Sequence, residues 1–215
     1  MTRRWESALP PVDLQEMLRY AACRAPTEEV LSLAQSAAEE GAAVIRGRVC
    51  YTTVPASVEG DTVHLGPLTV ASRSLAATLR DCHCAVLMAA TVGLELDRLI
   101  ARYGRLSPAR GLMLQALGAE RIEALCDAFC DHLAGEYGPL QRRFSPGYGD
   151  LPLTFQKPLF AYLECEKQLG LYLTESCMMR PGKSVTAIVG VGGSGHEQGG
   201  CGSCGQKNCA FRRKA

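Results

Sequence analysis

Residues 84–93 read CAVLMAATVG, a continuous apolar run bounded by polar residues. A run of this length and composition favours a buried strand over a helix. Upstream, residues 46–72 are rich in Val and Thr and are interrupted by turn residues at Glu59-Gly60-Asp61, which predicts two or three further strands. These segments supply the strands of the expected sheet.

Apolar residues recur at helical spacing on both sides of these strands. The predicted helices cover residues 11–24, 25–45, 72–82, 94–103, 107–138 and 157–173. Thr27 is the expected N-cap of the second helix, and residues 174–193 predict two strands around a turn at 180–183. Strand pairs and separated helices without regular alternation indicate an α+β fold, in a single domain of residues 1–189.

Composition limits the class of protein. The chain has 215 residues, of which 47% are hydrophobic and 21% charged, and its net charge of +1 gives no reason to expect nucleic acid as a partner. The N-terminus lacks the apolar core of a secretory signal, and no run reaches the ~18 apolar residues of a membrane helix. We therefore expect a cytoplasmic protein without a membrane partner, in which most of the 11 cysteines are thiols.

Residues 142–152, RRFSPGYGDLP, combine two arginines with proline, the most rigid residue type, and glycine, the most flexible. Pro146 fixes one backbone torsion, whereas Gly147 can adopt positive φ values and lets a ligand approach the backbone closely. The arginines supply donors for a carboxylate, and Tyr148 offers a flat face and a hydroxyl. On these residues alone, the segment is either a turn with solvated arginines or a rigid cradle for a ligand with an anionic end.

This segment resembles the Arg-x-x-Pro-Gly-Tyr-Pro-x-x-Pro loop of the S-adenosylmethionine-binding activation domain of cobalamin-dependent methionine synthase. Residues 173–185, LTESCMMRPGKSV, are similar to that domain's Leu-Thr-Glu-Ser-x-Ala-Met-x-Pro-Gly-x-Ser-Val segment. Residues 117–133 fit its long helix more loosely. The resemblance covers residues 10–189 and implies a twisted, mainly antiparallel sheet flanked by helices, as a single domain of the methionine synthase activation type.

The chain departs from the family pattern at two motif positions. Gly149 stands where the family has a proline, and Arg180 stands where it has a tryptophan. We find no cobalamin-binding or substrate-binding module in the sequence, so we expect a free-standing activation domain that works on a separate synthase.

The task that the resemblance implies is repair. Cobalamin that has been oxidised to cob(II)alamin takes an electron from a donor such as a flavodoxin or ferredoxin and is then methylated by S-adenosylmethionine. The expected role is that of a methyltransferase component in methionine biosynthesis, with a cobalamin-binding module as its partner. Two alternatives stay open: a corrinoid protein of another methyl-transfer pathway as the client, or a metal-binding interaction or sensor protein.

The resemblance also implies roles for single residues. Arg143 takes the ligand's carboxylate, and Tyr148 lies near the adenosyl group or the corrin. The turn residues Pro146, Gly147 and Gly149 present backbone groups to the adenine and ribose.

The cationic ligand needs an acidic partner in a partly desolvated site. Asp127 on the long helix is the first candidate and Glu120 the second, although either is equally compatible with a solvated helix face. Glu175 in the LTES string is a further candidate, for an ordering role.

Residues 190–215 form a glycine-rich tail that carries Cys201, Cys204 and Cys209 in the spacing C-x-x-C-x-x-x-x-C. This spacing is typical of metal ligands, and His196, Cys177 or an external group would complete the site. Zinc accepts three Cys and one His, whereas iron–sulfur clusters usually take four thiolates. The sequence leaves open zinc, an iron–sulfur cluster, and a tail of free thiols.

Two other cysteine pairs have metal-like spacing but are interpreted as structural. Cys126 and Cys130 align with the apolar stripe of the long helix, which favours core packing. In residues 81–84, DCHC, the two cysteines alternate about His83 and are expected to face away from it.

Overall fold

The apolar run of residues 84–93 forms strand β5 (Cys84–Thr91) in the middle of a six-stranded sheet. A computed structural model describes residues 1–193 of the chain. In it, β5 pairs antiparallel with β2 (Arg48–Glu59) on one side and β8 (Ser184–Val191) on the other. Every residue from Ala85 to Thr91 is fully buried, because helices cover both faces of the sheet. The expected buried strand is confirmed.

The sheet is curled because the long strand β2 belongs to two pairings. The smaller strands are β1 (Arg3–Trp5), β3 (Thr62–Leu65) and β4 (Leu68–Ala71). The first part of β2, Arg48–Pro55, pairs with β5, and its last part, Ala56–Glu59, pairs with β3. The order of strands is β4-β3-β2-β5-β8, and β1 pairs with β2. The pattern did not predict β1, which is only three residues long.

Four helices cover one face of the sheet and enclose the first core. They are α1 (Leu14–Tyr20), α2 (Glu28–Val44), α4 (Leu94–Leu106) and α5 (Pro108–Tyr137). Thr27 caps α2 as predicted, since its Oγ1 accepts a hydrogen bond from the Val30 N–H at 3.4 Å. Phe129 of α5 is fully buried here, with its ring centroid 4.9 Å from that of Tyr51.

Three shorter helices enclose a second core on the other face: α3 (Arg73–Leu79), α6 (Gln156–Leu163) and α7 (Cys165–Leu169). The prediction of one helix over residues 157–173 is wrong. Glu164 adopts a left-handed conformation with φ +52°, which separates α6 from α7. Residues Tyr172–Leu173 form strand β6, which pairs with β7 (Met179–Arg180) in a separate hairpin. The turn at 180–183 therefore joins strands of two different sheets.

The segment at 139–144 extends the sheet beyond β8. The Phe144 N–H donates to the Ile188 carbonyl at 2.9 Å, and the Ile188 N–H donates back at 2.8 Å. The Gln141 N–H donates to the Gly190 carbonyl at 2.8 Å. Strand β8, which begins at the end of the 173–185 motif, thereby supports the backbone that leads into the 142–152 motif.

The mixed, mainly antiparallel architecture confirms the predicted α+β fold. Within residues 1–193, no helix combines the length and the apolar character that crossing a membrane requires. Strand β8 runs to Val191, while residues 194–215 lie outside the described residues, so the domain boundary at 189 stays a prediction.

The close packing around β8 can be tested at Gly190. A Cβ atom there would lie 2.7 Å from both Cys82 Sγ and Leu79 Cδ2, so we expect Gly190→Ala to lower the free energy of unfolding by about 1–3 kcal/mol. Gly135 of α5 is the matched control, because a Cβ there meets no heavy atom within 4 Å. Gly135→Ala should stabilise by about 0.5–1 kcal/mol. Equal effects in urea unfolding would contradict the packing described for β8.

Candidate functional site

The Pro-Gly loop closes on itself through backbone hydrogen bonds. The Gly147 N–H donates to the Leu151 carbonyl at 2.9 Å, and the Leu151 N–H donates to the Tyr148 carbonyl at 3.0 Å. Gly147 has φ +93°, a conformation that favours glycine. Pro146 is buried beneath the turn, whereas Gly147 to Asp150 are exposed. The loop is thus a compact turn with its tip open to a ligand.

Asp150 fixes this loop to the N-terminus of α3. Its carboxylate accepts hydrogen bonds from Ser72 Oγ at 2.6 Å, the Arg73 N–H at 2.8 Å and the Ser74 N–H at 3.0 Å. These donors, Ser72 first and then the Ser74 N–H, hold the pKa of the Asp150 carboxyl well below its ordinary value. The carboxylate therefore caps a helix and anchors the loop at once.

Gly149 explains one departure from the family motif. Its φ of +54° is closed to proline, whose ring holds φ near −65°. A Cβ at this position would also lie 2.7 Å from Ser74 Oγ. The loop of this chain therefore follows a path at residue 149 that the family's proline cannot adopt.

Tyr148 projects from the tip of the loop and is 65% exposed. Leu153, 44% exposed, lies beside the turn, since a Cβ on Gly147 would be 3.3 Å from its Cδ1. The Tyr148 ring and the Leu153 side chain thus leave apolar surface exposed at this loop.

Arg143 is held between two carboxylates of α5. Its Nη1 lies 2.6 Å from Asp127 Oδ1 and its Nη2 lies 2.7 Å from Glu123 Oε2. Burial alone would lower the pKa of Arg143, but its neighbours, including the hydrogen-bonded Asp127, outweigh burial and the pKa is raised. The structure therefore places two of the predicted site residues, Arg143 and Asp127, in contact, and it adds Glu123, which the sequence motifs did not indicate.

We call Arg143 with its partners Glu123 and Asp127 the Arg143 clamp. An acidic groove of about 560 Å³ lies beside it. Its walls are the N-terminal segment, α1 and one face of α5. It is lined by Ala8, Leu9, Pro10, Pro11, Asp13, Glu16, Tyr20, Glu120, Arg121, Glu123, Ala124, Asp127, Ala128 and Asp131. The acids of α5 follow one another at spacings of three or four residues, and this periodicity is the signal that could have revealed Glu123 and Asp131.

Tyr20 closes the groove opposite α5. Burial, followed by the negative charge of Glu123, raises the pKa of the Tyr20 hydroxyl. The phenol therefore stays protonated at neutral pH and keeps a hydrogen to donate. No sequence motif marked Tyr20 or Asp13, because their place in the groove depends on how α1 packs against α5.

Glu120 helps to hold the N-terminal segment that forms one wall of the groove. It is 5% exposed and pairs with Arg121, and its Oε1 accepts the Asp13 N–H at 3.2 Å. Arg121 in turn donates to the Pro10 and Pro11 carbonyls. This pair fastens the N-terminal segment to α5, so Asp127 is the better placed of the two predicted acidic partners.

The second motif anchors backbone at the other end of β5. The Gly182 N–H donates to Asp97 Oδ2 at 2.6 Å, and Ser184 Oγ donates to Thr91 Oγ1 at 2.9 Å. Glu175 is exposed near the tip of the β6–β7 hairpin and does not line the acidic groove. Arg180, at the family's tryptophan position, is also exposed. The residues of this motif thus support the fold around β8.

The predicted metal ligands Cys201, Cys204, Cys209 and His196 lie outside the described residues. Cys177, considered as a fourth ligand, is buried with φ +61° in the β6–β7 hairpin. Within residues 1–193, no group of three His, Cys, Asp or Glu side chains is arranged to hold a metal.

The cysteine pairs interpreted as structural lie in or beside the cores. Cys126 is fully buried and Cys130 partly buried, and burial raises the pKa of both thiols. Cys82 is buried while His83 is exposed, which matches the expected alternation.

Comparisons with known proteins support the resemblance. A model of the family described as "Vitamin B12 dependent methionine synthase, activation domain" matches residues 140–210, a range that contains both motifs. No curated protein matches the sequence. Among solved structures, the crystal structure of the MetH reactivation domain bound to AdoHcy has a TM-score of 0.66 and 17% identity, covering 92% of this chain and 80% of that chain. The resemblance to the activation domain is confirmed, by the family model within residues 140–210 and by the fold over most of the chain.

Removal of the Asp150 carboxylate should loosen the loop. The pKa of the Asp150 carboxyl is lower in the folded protein than its unfolded value of about 3.9. The ionised carboxylate therefore contributes its full stabilisation above that unfolded pKa, and the contribution is lost as the pH falls through the folded pKa. We therefore expect Asp150→Ala to melt below wild type at pH 7, with a difference that narrows below about pH 4.

Asp61→Ala is the control for this experiment. Within residues 1–193, the Asp61 carboxylate pairs only with Arg73, in an exposed ion pair at 3.5 Å, so its loss should change the melting temperature little. An Asp150→Ala difference that is absent at pH 7, or constant into strong acid, would show that the ionised carboxylate does not anchor the loop.

Restoring the family's proline should damage this chain. Gly149→Pro is expected to lower the free energy of unfolding by more than the about 1–2 kcal/mol that a left-handed conformation costs an ordinary residue. Gly149→Ala serves as the comparison: alanine can enter that region at this cost, to which its Cβ adds a close approach to Ser74, whereas the proline ring cannot enter the region at all. Wild-type stability of the proline variant in urea unfolding would mean that residue 149 does not have positive φ.

Proposed function

We propose that the chain binds S-adenosylmethionine and supports the reductive methylation of cob(II)alamin carried by a separate methionine synthase. The observation that supports this most strongly is the Arg143 clamp at the acidic groove. Arg143 opens the loop that matches the activation-domain motif, and the family model covers that loop. The fold of the MetH reactivation domain, seen there with AdoHcy bound, is consistent with the same use of the surface.

The charges of the ligand match the charges of the clamp. S-adenosylmethionine carries a carboxylate, an ammonium and a sulfonium group. Its carboxylate would replace Asp127 or Glu123 on the Arg143 guanidinium, and the released carboxylate would face the ligand's positive groups. Such an exchange leaves no charge unpaired in a partly buried site, which keeps the desolvation cost low.

The remaining parts of the site suit the rest of the ligand. A groove of about 560 Å³ is within the usual size of small-molecule sites. The exposed backbone around Gly147 would read the polar edge of the adenine or ribose, and the Tyr148 ring would cover the adenosyl group or meet the corrin of the partner. The anchored turn holds these groups in place before the ligand arrives, which limits the entropy lost on binding.

In the proposed reaction, the cobalamin and the sulfonium group undergo the bond changes, and the chain binds and orients the methyl donor. In the proposed reaction, cob(II)alamin on the partner would take one electron from a donor such as a flavodoxin or ferredoxin. The resulting cob(I)alamin would accept the methyl group of the sulfonium and leave S-adenosylhomocysteine. The residues of this chain bind the methyl donor, orient it and keep water from the reacting methyl. No side chain has to transfer a proton.

Calorimetric titration with S-adenosylmethionine tests the clamp. Arg143→Ala should weaken binding by roughly 1.5–3 kcal/mol, a loss of about 10- to 150-fold, because a charge-assisted pair with the ligand's carboxylate is removed. Arg98→Ala is the control, since Arg98 forms an exposed ion pair with Glu95 on α4 and neither residue lines the acidic groove. Unchanged affinity in a folded Arg143→Ala protein would remove Arg143 from the site.

A double-mutant cycle with Asp127→Asn tests the exchange of partners. If the two residues act on one ligand through one clamp, the losses in the double variant should not add. A methylation assay with a cob(II)alamin-loaded synthase that lacks its own activation domain, beside another corrinoid protein, then identifies the client. Binding of S-adenosylmethionine without activity on the synthase would favour the other corrinoid pathway.

A further inference from the structure

We infer that Glu123 makes this chain select the sulfonium form of its ligand over the thioether that remains after methyl transfer. The inference rests on the proposed binding of S-adenosylmethionine. The charges of the Arg143 clamp point to this selection. One guanidinium faces two carboxylates there, so the clamp carries one net negative charge.

Methyl transfer changes the charge of the ligand but not that of the clamp. S-adenosylmethionine has one carboxylate, one ammonium and one sulfonium group, and therefore one net positive charge. When its carbon–sulfur bond breaks, the bonding pair stays on sulfur as a lone pair of a neutral thioether, and the reduced cobalamin supplies the pair for the new bond to the methyl group. The methyl donor thus neutralises the clamp, whereas S-adenosylhomocysteine leaves one negative charge unpaired, which weakens its binding and favours its release.

Glu123 is better placed than Asp127 to attract the sulfonium. The Glu123 side chain is 41% exposed, whereas that of Asp127 is 58% exposed. The charge of Glu123 also acts across the groove, because after burial it is the largest influence that raises the pKa of the Tyr20 hydroxyl on α1. A less exposed carboxylate interacts with a cation more strongly than one whose charge water screens.

The other acids of the groove are already engaged or exposed. Asp13 caps α1 through its Oδ1, which accepts two backbone N–H groups at 2.9 and 3.0 Å. Glu120 is buried against Arg121, and Glu16 pairs with a neighbouring arginine of α1. Asp131 is exposed to water, which screens its charge. These acids therefore respond less to a change of charge on a ligand at the clamp.

The thiols and the phenol near the clamp stay neutral at pH 7. Cys130 Sγ lies 3.8 Å from Arg143 Nη1, and Cys126 is fully buried. Burial raises the pKa of both thiols, and burial also raises the pKa of the Tyr20 hydroxyl. These groups therefore add no charge to that of the clamp.

Calorimetric titrations of the full-length protein with S-adenosylmethionine and S-adenosylhomocysteine test the role of Glu123. Wild type should bind the sulfonium about 10-fold or more tightly than the thioether, because one additional charge pair forms in a partly exposed site. Glu123→Gln should remove most of this difference. Glu123 also competes with the ligand's carboxylate for Arg143, but that competition affects both ligands alike. The ratio of the two dissociation constants therefore isolates the effect on the sulfonium.

Glu136→Gln is the matched control and should keep the wild-type ratio. Glu136 also lies on α5, where it forms an ion pair with Arg3 at 3.6 Å, and it does not line the acidic groove. The inference is overturned if wild type binds both ligands equally, if Glu123→Gln keeps the wild-type ratio, or if Asp127→Asn removes the difference while Glu123→Gln does not. In each of these cases the proposed binding of S-adenosylmethionine still stands. If wild type binds neither ligand, the proposed function falls, and the role of Glu123 falls with it.

Discussion

The antiparallel pairing of residues 139–144 with β8 is the interaction on which the rest of the structure depends. Phe144 and Ile188 exchange both of their backbone hydrogen bonds, which fixes the orientation of each side chain in the segment. Because side chains alternate along an extended strand, Phe144 enters the second core while Arg143 faces α5 on the other side. The Pro-Gly turn then begins from a backbone that cannot rotate, and Asp150 fastens its far end to α3.

The two arginines at the acidic groove, Arg143 and Arg121, are each paired with carboxylates of α5. Arg143 shares two carboxylates of α5, and the Glu120–Arg121 pair holds the N-terminal segment that forms the opposite wall. The sulfonium ligand that we propose would bring the same kinds of charge and would exchange partners with the clamp. Placing these charges on a 30-residue helix and a sheet edge gives the site a rigid frame, in which the cost of ordering is met during folding.

Several residues of the two motifs hold the frame of the fold together. Asp150 caps a helix, Ser184 joins the start of β8 to the end of β5, and Gly182 is tied to α4. Gly149 shows that the frame can change locally: the loop keeps its arginine and its tyrosine while its backbone takes a conformation that excludes the family's proline. The activation-type fold at 17% identity is consistent with a framework retained through different side chains.

The sequence by itself determined the buried strand β5, the long helix from Pro108 and the N-cap at Thr27, because each depends on local periodicity or on a short motif. A short motif likewise made Arg143 a candidate site residue. It did not determine the break at Glu164, the pairing of β6 with β7 or the three-residue strand β1, since these elements are too short to carry a pattern of their own. Only the tertiary structure decided which acids meet Arg143 and that Asp13 and Tyr20 line the groove. Arg143 meets Asp127 and Glu123 across 16 and 20 positions, and Asp13 meets Glu120 across 107 positions. This geometry arises only when α1, α5 and the edge of the sheet pack together.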